Sequence, residues 1–272
     1  MNTLVQFGPQ GQLVGILSAA TATANAPTLI LPSAGLIPRA GPFRLHVELG
    51  ERLAKHEIRT FRFDVPGVGE TARQTGMGDR EATLAAIDHL AANHGCQRFV
   101  VGGVCSAADV GWHTAMTDDR VVGMLLIDGL SFSGPWFHFG RIVNAIRRGP
   151  RGWWRVIARR LGGRTGDADR RIEMADYREW PDRDQAREQF ASLVARGKKS
   201  LWIYTGGYSE VFLHPRQFAW SFGKAARDRC TTLRYWPDCD HTFYARTHRN
   251  RLLDTVEQWL LGLEADDTGD RP

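Results

Sequence analysis

The chain has 272 residues, 43% hydrophobic and 24% charged, with a net charge of +5. That length suits one large domain or a domain with an insertion, and no stretch offers the roughly 20 apolar residues a membrane-spanning helix needs. MNTLVQFGPQGQ lacks the basic-then-apolar pattern of a secretory signal, and Cys96, Cys105, Cys230 and Cys239 form no CxxC pair, against a zinc site or a disulfide framework. A reducing cytoplasm, no metal and no cofactor are the expectations.

TLVQF and LVGILS read as a hairpin joined by GPQGQ. PTLILP is a buried strand, FRLHVELGERLAKH a helix and IRTFRFDV a strand. DREATLAAIDHLAANHG is a helix that stops at Gly95. RFVVGGV is a strand, SAADVGWHTAM a helix and VVGMLLIDG a strand. Further on come SLWIYTGG (strand), PRQFAWSFGKAAR (helix), TTLRYWP (strand) and RNRLLDTVEQWLLGL (helix). Apolar runs rich in β-branched residues, alternating with amphipathic segments, predict an α/β protein whose mostly parallel sheet is covered on both faces. Residues 131–199 contain no convincing strand, so they leave the sheet and return. We read them as a helical cap on a core formed by 1–130 and 200–263, with 264–272 as a frayed tail.

One stretch asks for an explanation: FVVGGVCSAAD, residues 99–109. A nucleophile on a strand–turn–helix elbow needs small residues two places before and two after it, because strand and helix nearly touch. With Cys105 at the tip the flanks are Gly103 and Ala107. With Ser106 there they are Val104 and Ala108, and valine fits the crowded position badly. The spacing selects Cys105 and makes the Ser106 N–H an oxyanion donor. The bland alternative is a small buried cysteine at a strand end.

A cysteine nucleophile needs a histidine and usually an acid. Of nine histidines, His241 in WPDCDHTFYA follows the last strand, at the sheet edge where ligands bind in such folds. Asp240 is its chain neighbour and a weak orienter. Glu210, in the GGYSE loop after LWIYT, is the first choice of acid. Asp128, which ends GMLLID, is the alternative.

These residues resemble an α/β-hydrolase of the lidded, serine-aminopeptidase-like group. The resemblance is strongest to a bacterial subgroup whose elbow reads Gly-Leu-Cys-Ser-Gly-Ala, here GVCSAA. AGLIPRAGPFRL (34–45), FRFDVPGVGET (61–71) and CDHTF (239–243) also match. Ala107 replaces the usual glycine, and GGYSE lacks a clear aspartate. The resemblance implies that LPSAGL (31–36) is the oxyanion loop, with N–H groups near Ala34 or Gly35 joining that of Ser106. It also implies acyl hydrolysis or transfer, with thioesters or esters favoured by a thiolate.

Between Arg141 and Arg171 stand ten arginines against two aspartates. Trp154, Ile157 and Leu161 share a helical face, with Arg155, Arg159 and Arg160 elsewhere. The bland reading is a solvated cap. The sharper one is docking of an anionic partner: an acyl carrier protein, coenzyme A, or an acidic membrane surface met peripherally. No nucleic-acid motif accompanies the patch. The rival from another class is a non-catalytic binding or scaffold protein of the same fold.

Overall fold

The structure, a computed structural model, describes residues 2–18, 26–73, 76–147, 178 and 180–269. Eight strands make one sheet: β1 (Asn2–Phe7), β2 (Leu13–Ser18), β3 (Thr28–Pro32), β4 (Thr60–Phe63), β5 (Phe99–Val104), β6 (Val121–Ile127), β7 (Lys199–Thr205) and β8 (Thr231–Trp236). Their order is β1-β2-β4-β3-β5-β6-β7-β8. The β1–β2 hairpin and the β2–β4 pair are antiparallel, and every other pairing is parallel. The order reverses between β3 and β5, which opens a crevice at the carboxyl ends of those strands.

The described α-helices are α1 (Leu45–Ala54), α2 (Asp79–His94), α3 (Ser106–Thr117), α4 (Pro135–Arg147), α5 (Arg183–Ala195), α6 (Pro215–Phe222) and α7 (Arg246–Gly269). α2 ends where Gly95 takes φ 65°, a left-handed cap that glycine adopts without strain. β3 and β5 are buried along their whole length and β7 from Ser200 onward, as strands covered on both sides must be. Alternate side chains go to opposite cores. Trp202 and Tyr204 of β7 pack in the cluster with α2, α3, α5 and α6, while Leu201 and Ile203 join α1 and α7.

Two expectations need correction. α5 was read as part of the cap over 131–199, but its Ala186, Phe190 and Leu193 are fully buried. Phe190 lies 5.4 Å from Trp202, 5.3 Å from Phe222 and 5.9 Å from Trp112, ring centre to ring centre. It is a crossover helix of the core layer, and β7 already begins at Lys199. The tail was read from 264, yet α7 continues to Gly269.

Candidate active site

Cys105 stands alone between the last residue of β5 and the first of α3, with φ 57° and ψ −121°. A positive φ costs an L-residue roughly 1–2 kcal/mol. The turn is sharp because strand and helix are in contact. A Cβ added at Gly103 would lie 3.1 Å from that of Ala107, and one at Gly111 only 2.6 Å from the Val101 carbonyl oxygen. The small flanks that singled out Cys105 in the sequence therefore meet each other. The thiol is half-buried, and the neighbouring His241 imidazole interacts with it.

His241 reaches the elbow from the loop after β8, and its Nδ1 lies 2.7 Å from Asp128 Oδ2. Asp128 follows β6 and is fully buried. Its Oδ1 accepts from the Thr205 N–H (2.7 Å) and its Oδ2 from the Thr205 hydroxyl (2.7 Å). Three donors thus fix the carboxylate that faces the imidazole.

Glu210, the first-choice acid, is exposed, and the imidazole nitrogen it would orient is taken by Asp128. The loop that carries it serves a different end. A Cβ at Gly207 would fall 2.2 Å from the His241 backbone nitrogen, and one at Gly206 2.1 Å from the Pro237 carbonyl oxygen. The two glycines let the histidine loop lie against the end of β7. Asp240 turns away and accepts from the Thr242 and Tyr244 N–H groups.

Electrostatics move the proton from sulfur toward the ring. Burial is the largest influence on Cys105 and opposes the thiolate. The His241 hydrogen bond, the Arg178 charge and the Ser106 N–H outweigh it and hold the thiol below its ordinary value. His241 is pushed up to about 9, first by its hydrogen bond to Asp128 and next by that to Cys105.

A cavity of about 210 Å³ opens beside the thiol, lined by Leu36, Ile37, Pro42, His46, Val104 and His241 among others. Its lining is mostly apolar. Burial pushes His46 down to about 4, so that imidazole is neutral. Leu36 of the lining is exposed, and close in sequence to Pro42 and Thr242 of the lining stand the exposed Phe43 and Tyr244, in edge contact at 5.5 Å. Ala34 and Gly35 line the same cavity. The Gly35 N–H, however, donates to the Ser106 hydroxyl (3.1 Å), so in this arrangement it is not free for a substrate oxygen. The loop is held from behind: Arg39 pairs with the buried Asp64 and with Glu70, and the Arg39 N–H donates to Asp64 Oδ1 (2.6 Å).

Arg178 was missed in the sequence. It lies among many arginines, and nothing in the local pattern marks it. Its guanidinium is buried against Asp109, Tyr208 and the carbonyl oxygens of Cys105 and Asp128. Arg155, Arg159 and Arg160 lie outside the described residues.

The sheet order, the flanking helices and the elbow define an α/β-hydrolase fold. Similar solved structures bear this out. An α/β hydrolase of unknown function from Agrobacterium tumefaciens is 15% identical, with full coverage of both chains and a TM-score of 0.60. An esterase from Pyrococcus furiosus is 14% identical over 96% of this chain and 90% of its own, at 0.61. An α/β serine hydrolase homologue from Coxiella burnetii is 16% identical over 96% and 95%, at 0.54. No protein-family model and no curated protein sequence matches the chain.

Proposed function

We propose that the protein is an acyl hydrolase or acyltransferase that acts on thioester or ester substrates through Cys105, His241 and Asp128. The observation that carries this reading is the unbroken chain from a thiol on a strained elbow, through an imidazole, to a buried carboxylate. Neighbours of the same fold that are described as hydrolases and esterases support it.

In this reading His241 holds the Cys105 proton, and the thiolate attacks the acyl carbonyl. A C–S bond forms, and the oxyanion is met by the N–H groups of Ser106 and Ala34. Removing one such donor typically costs about 3–4 kcal/mol of transition-state stabilisation. Collapse breaks the bond to the leaving thiol or alcohol, which takes the proton from His241. Water, or an acceptor alcohol or amine, then gives its proton to His241, attacks the acyl-cysteine and releases the thiolate.

The cavity of about 210 Å³ is below the roughly 300–1,000 Å³ of pockets that enclose drug-sized ligands. With a mostly apolar lining and a neutral His46, it suits a short, uncharged acyl group. The arginine-rich segment motivates a coenzyme A or carrier-protein leaving group. The test is turnover of neutral thioesters of increasing chain length by wild type, Cys105→Ala and Ser106→Ala. Turnover should favour short chains, vanish in Cys105→Ala and survive, reduced, in Ser106→Ala. Loss in Ser106→Ala with activity kept in Cys105→Ala would refute the assignment.

A further inference from the structure

Among the described residues, seven non-glycine residues have positive φ, Cys105 (57°) and Asp128 (50°) being two of them. One side chain grips both. Arg178 Nη2 donates to the Cys105 carbonyl oxygen (3.0 Å) and Nη1 to that of Asp128 (3.2 Å). Nη1 also donates to the Tyr208 hydroxyl (3.1 Å), whose ring lies face-on to His241 at 6.2 Å and 17°. Nε and Nη2 pair with the Asp109 carboxylate, and the guanidinium sits 4.6 Å from the centre of the Trp180 ring. The Arg178 side chain is only 4% exposed.

We propose that Arg178 is the positioning residue of this site: its fork ties the backbones of the nucleophile and the acid together and places a fixed positive charge behind the thiol. The inference rests on the functional reading above. Its physical basis is geometric. Each of the two strained residues stands just past the end of its strand, and a planar guanidinium can bind both carbonyl oxygens and a carboxylate at once. Asp109 balances the charge, so a full cation is tolerated where little water reaches. A lysine, with one compact ammonium group, cannot span the same acceptors.

This separates Arg178 from the other arginines of its segment. It reaches the elbow from residues between β6 and β7, well away in sequence from β5 and α3.

The test uses two variants. In Arg178→Met/Asp109→Leu the whole pair is replaced by apolar groups, an exchange that cores often accept. Arg178→Lys keeps the charge without the fork. The readouts are the pH dependence of iodoacetamide labelling at Cys105, mapped by peptide mass spectrometry, and kcat and KM for a small neutral thioester. The double variant should move the labelling midpoint up by about one pH unit, a tenfold loss of thiolate at acid pH. It should lower kcat at least tenfold while KM stays within about threefold. Arg178→Lys should keep the midpoint near wild type and still lose kcat. An unchanged midpoint and kcat in the folded double variant would overturn the proposal. If that variant does not fold, unchanged kcat in Arg178→Lys overturns it. A wild-type midpoint at the ordinary cysteine value of about 8.5 would instead sink the functional reading, and this inference with it.

Discussion

Asp128→Asn is the sharpest perturbation of the proposed triad. The imidazole stands at about 9 instead of 6.5, and its hydrogen bond to Asp128 is the largest cause. That difference corresponds to roughly 3 kcal/mol at 1.36 kcal/mol per pH unit. Cys105 supplies part of that rise and a third of the His241 side chain is exposed, so the share lost with Asp128 is about 2 kcal/mol. Losing it alone predicts roughly a 30-fold fall in kcat/KM. A neutral amide can also hold the wrong tautomer, which takes the fall toward about 10⁴. The new amide would point one N–H group at the Thr205 donors, a cost of about 1–3 kcal/mol in stability. Thioester turnover is therefore read beside a thermal melt, at a temperature where both proteins are folded. Glu210→Gln should stay within about twofold of wild type. A damaging Glu210→Gln with a harmless Asp128→Asn would refute the reasoning.

The pH profile follows from the same pair. The raised His241 value means that the imidazolium is fully present below about 6.5 and is lost as pH rises through about 9. The kcat/KM profile should thus have an alkaline limb near 9, moving down toward 6.5 in Asp128→Asn, while the acid limb should fall below an ordinary thiol's value. Phe190→Ala should destabilise the protein by about 3–5 kcal/mol, some 10 °C in Tm. A loss under 1 kcal/mol would return α5 to the cap. Reversing Arg155, Arg159 and Arg160 to glutamate should raise KM for a coenzyme A thioester and spare a small neutral one, and the wild-type preference should shrink with salt. Equal effects on both substrates would assign these arginines to folding.

Much of this was legible because local rules decide it. The Gly103–Cys105–Ala107 spacing identifies the elbow, since one close approach requires all three. His241 was legible from its place after the last strand. The acid was not. Both Glu210 and Asp128 follow strands, and only packing shows that Thr205 and His241 converge on Asp128 while Gly207 makes room for the histidine loop. Phe190 hid in a polar helix: Ala186, Phe190 and Leu193 stand at i, i+4 and i+7, which marks a one-sided helix but does not say whether that side faces the core or a cap. Arg178 could not be read at all, because its role depends on two backbone carbonyls.

The central claim is that Cys105 carries the acyl group. The direct measurement is the intact mass of the protein after acid quench of a reaction with a short-chain thioester, followed by peptide mapping. The account predicts a mass increase of one acyl group, formed at the rate of thiol release and mapped to Cys105. It should accumulate when Asp128→Asn slows deacylation and be absent from Cys105→Ala. Acyl transfer to Ser106, or undiminished turnover by Cys105→Ala, would contradict it.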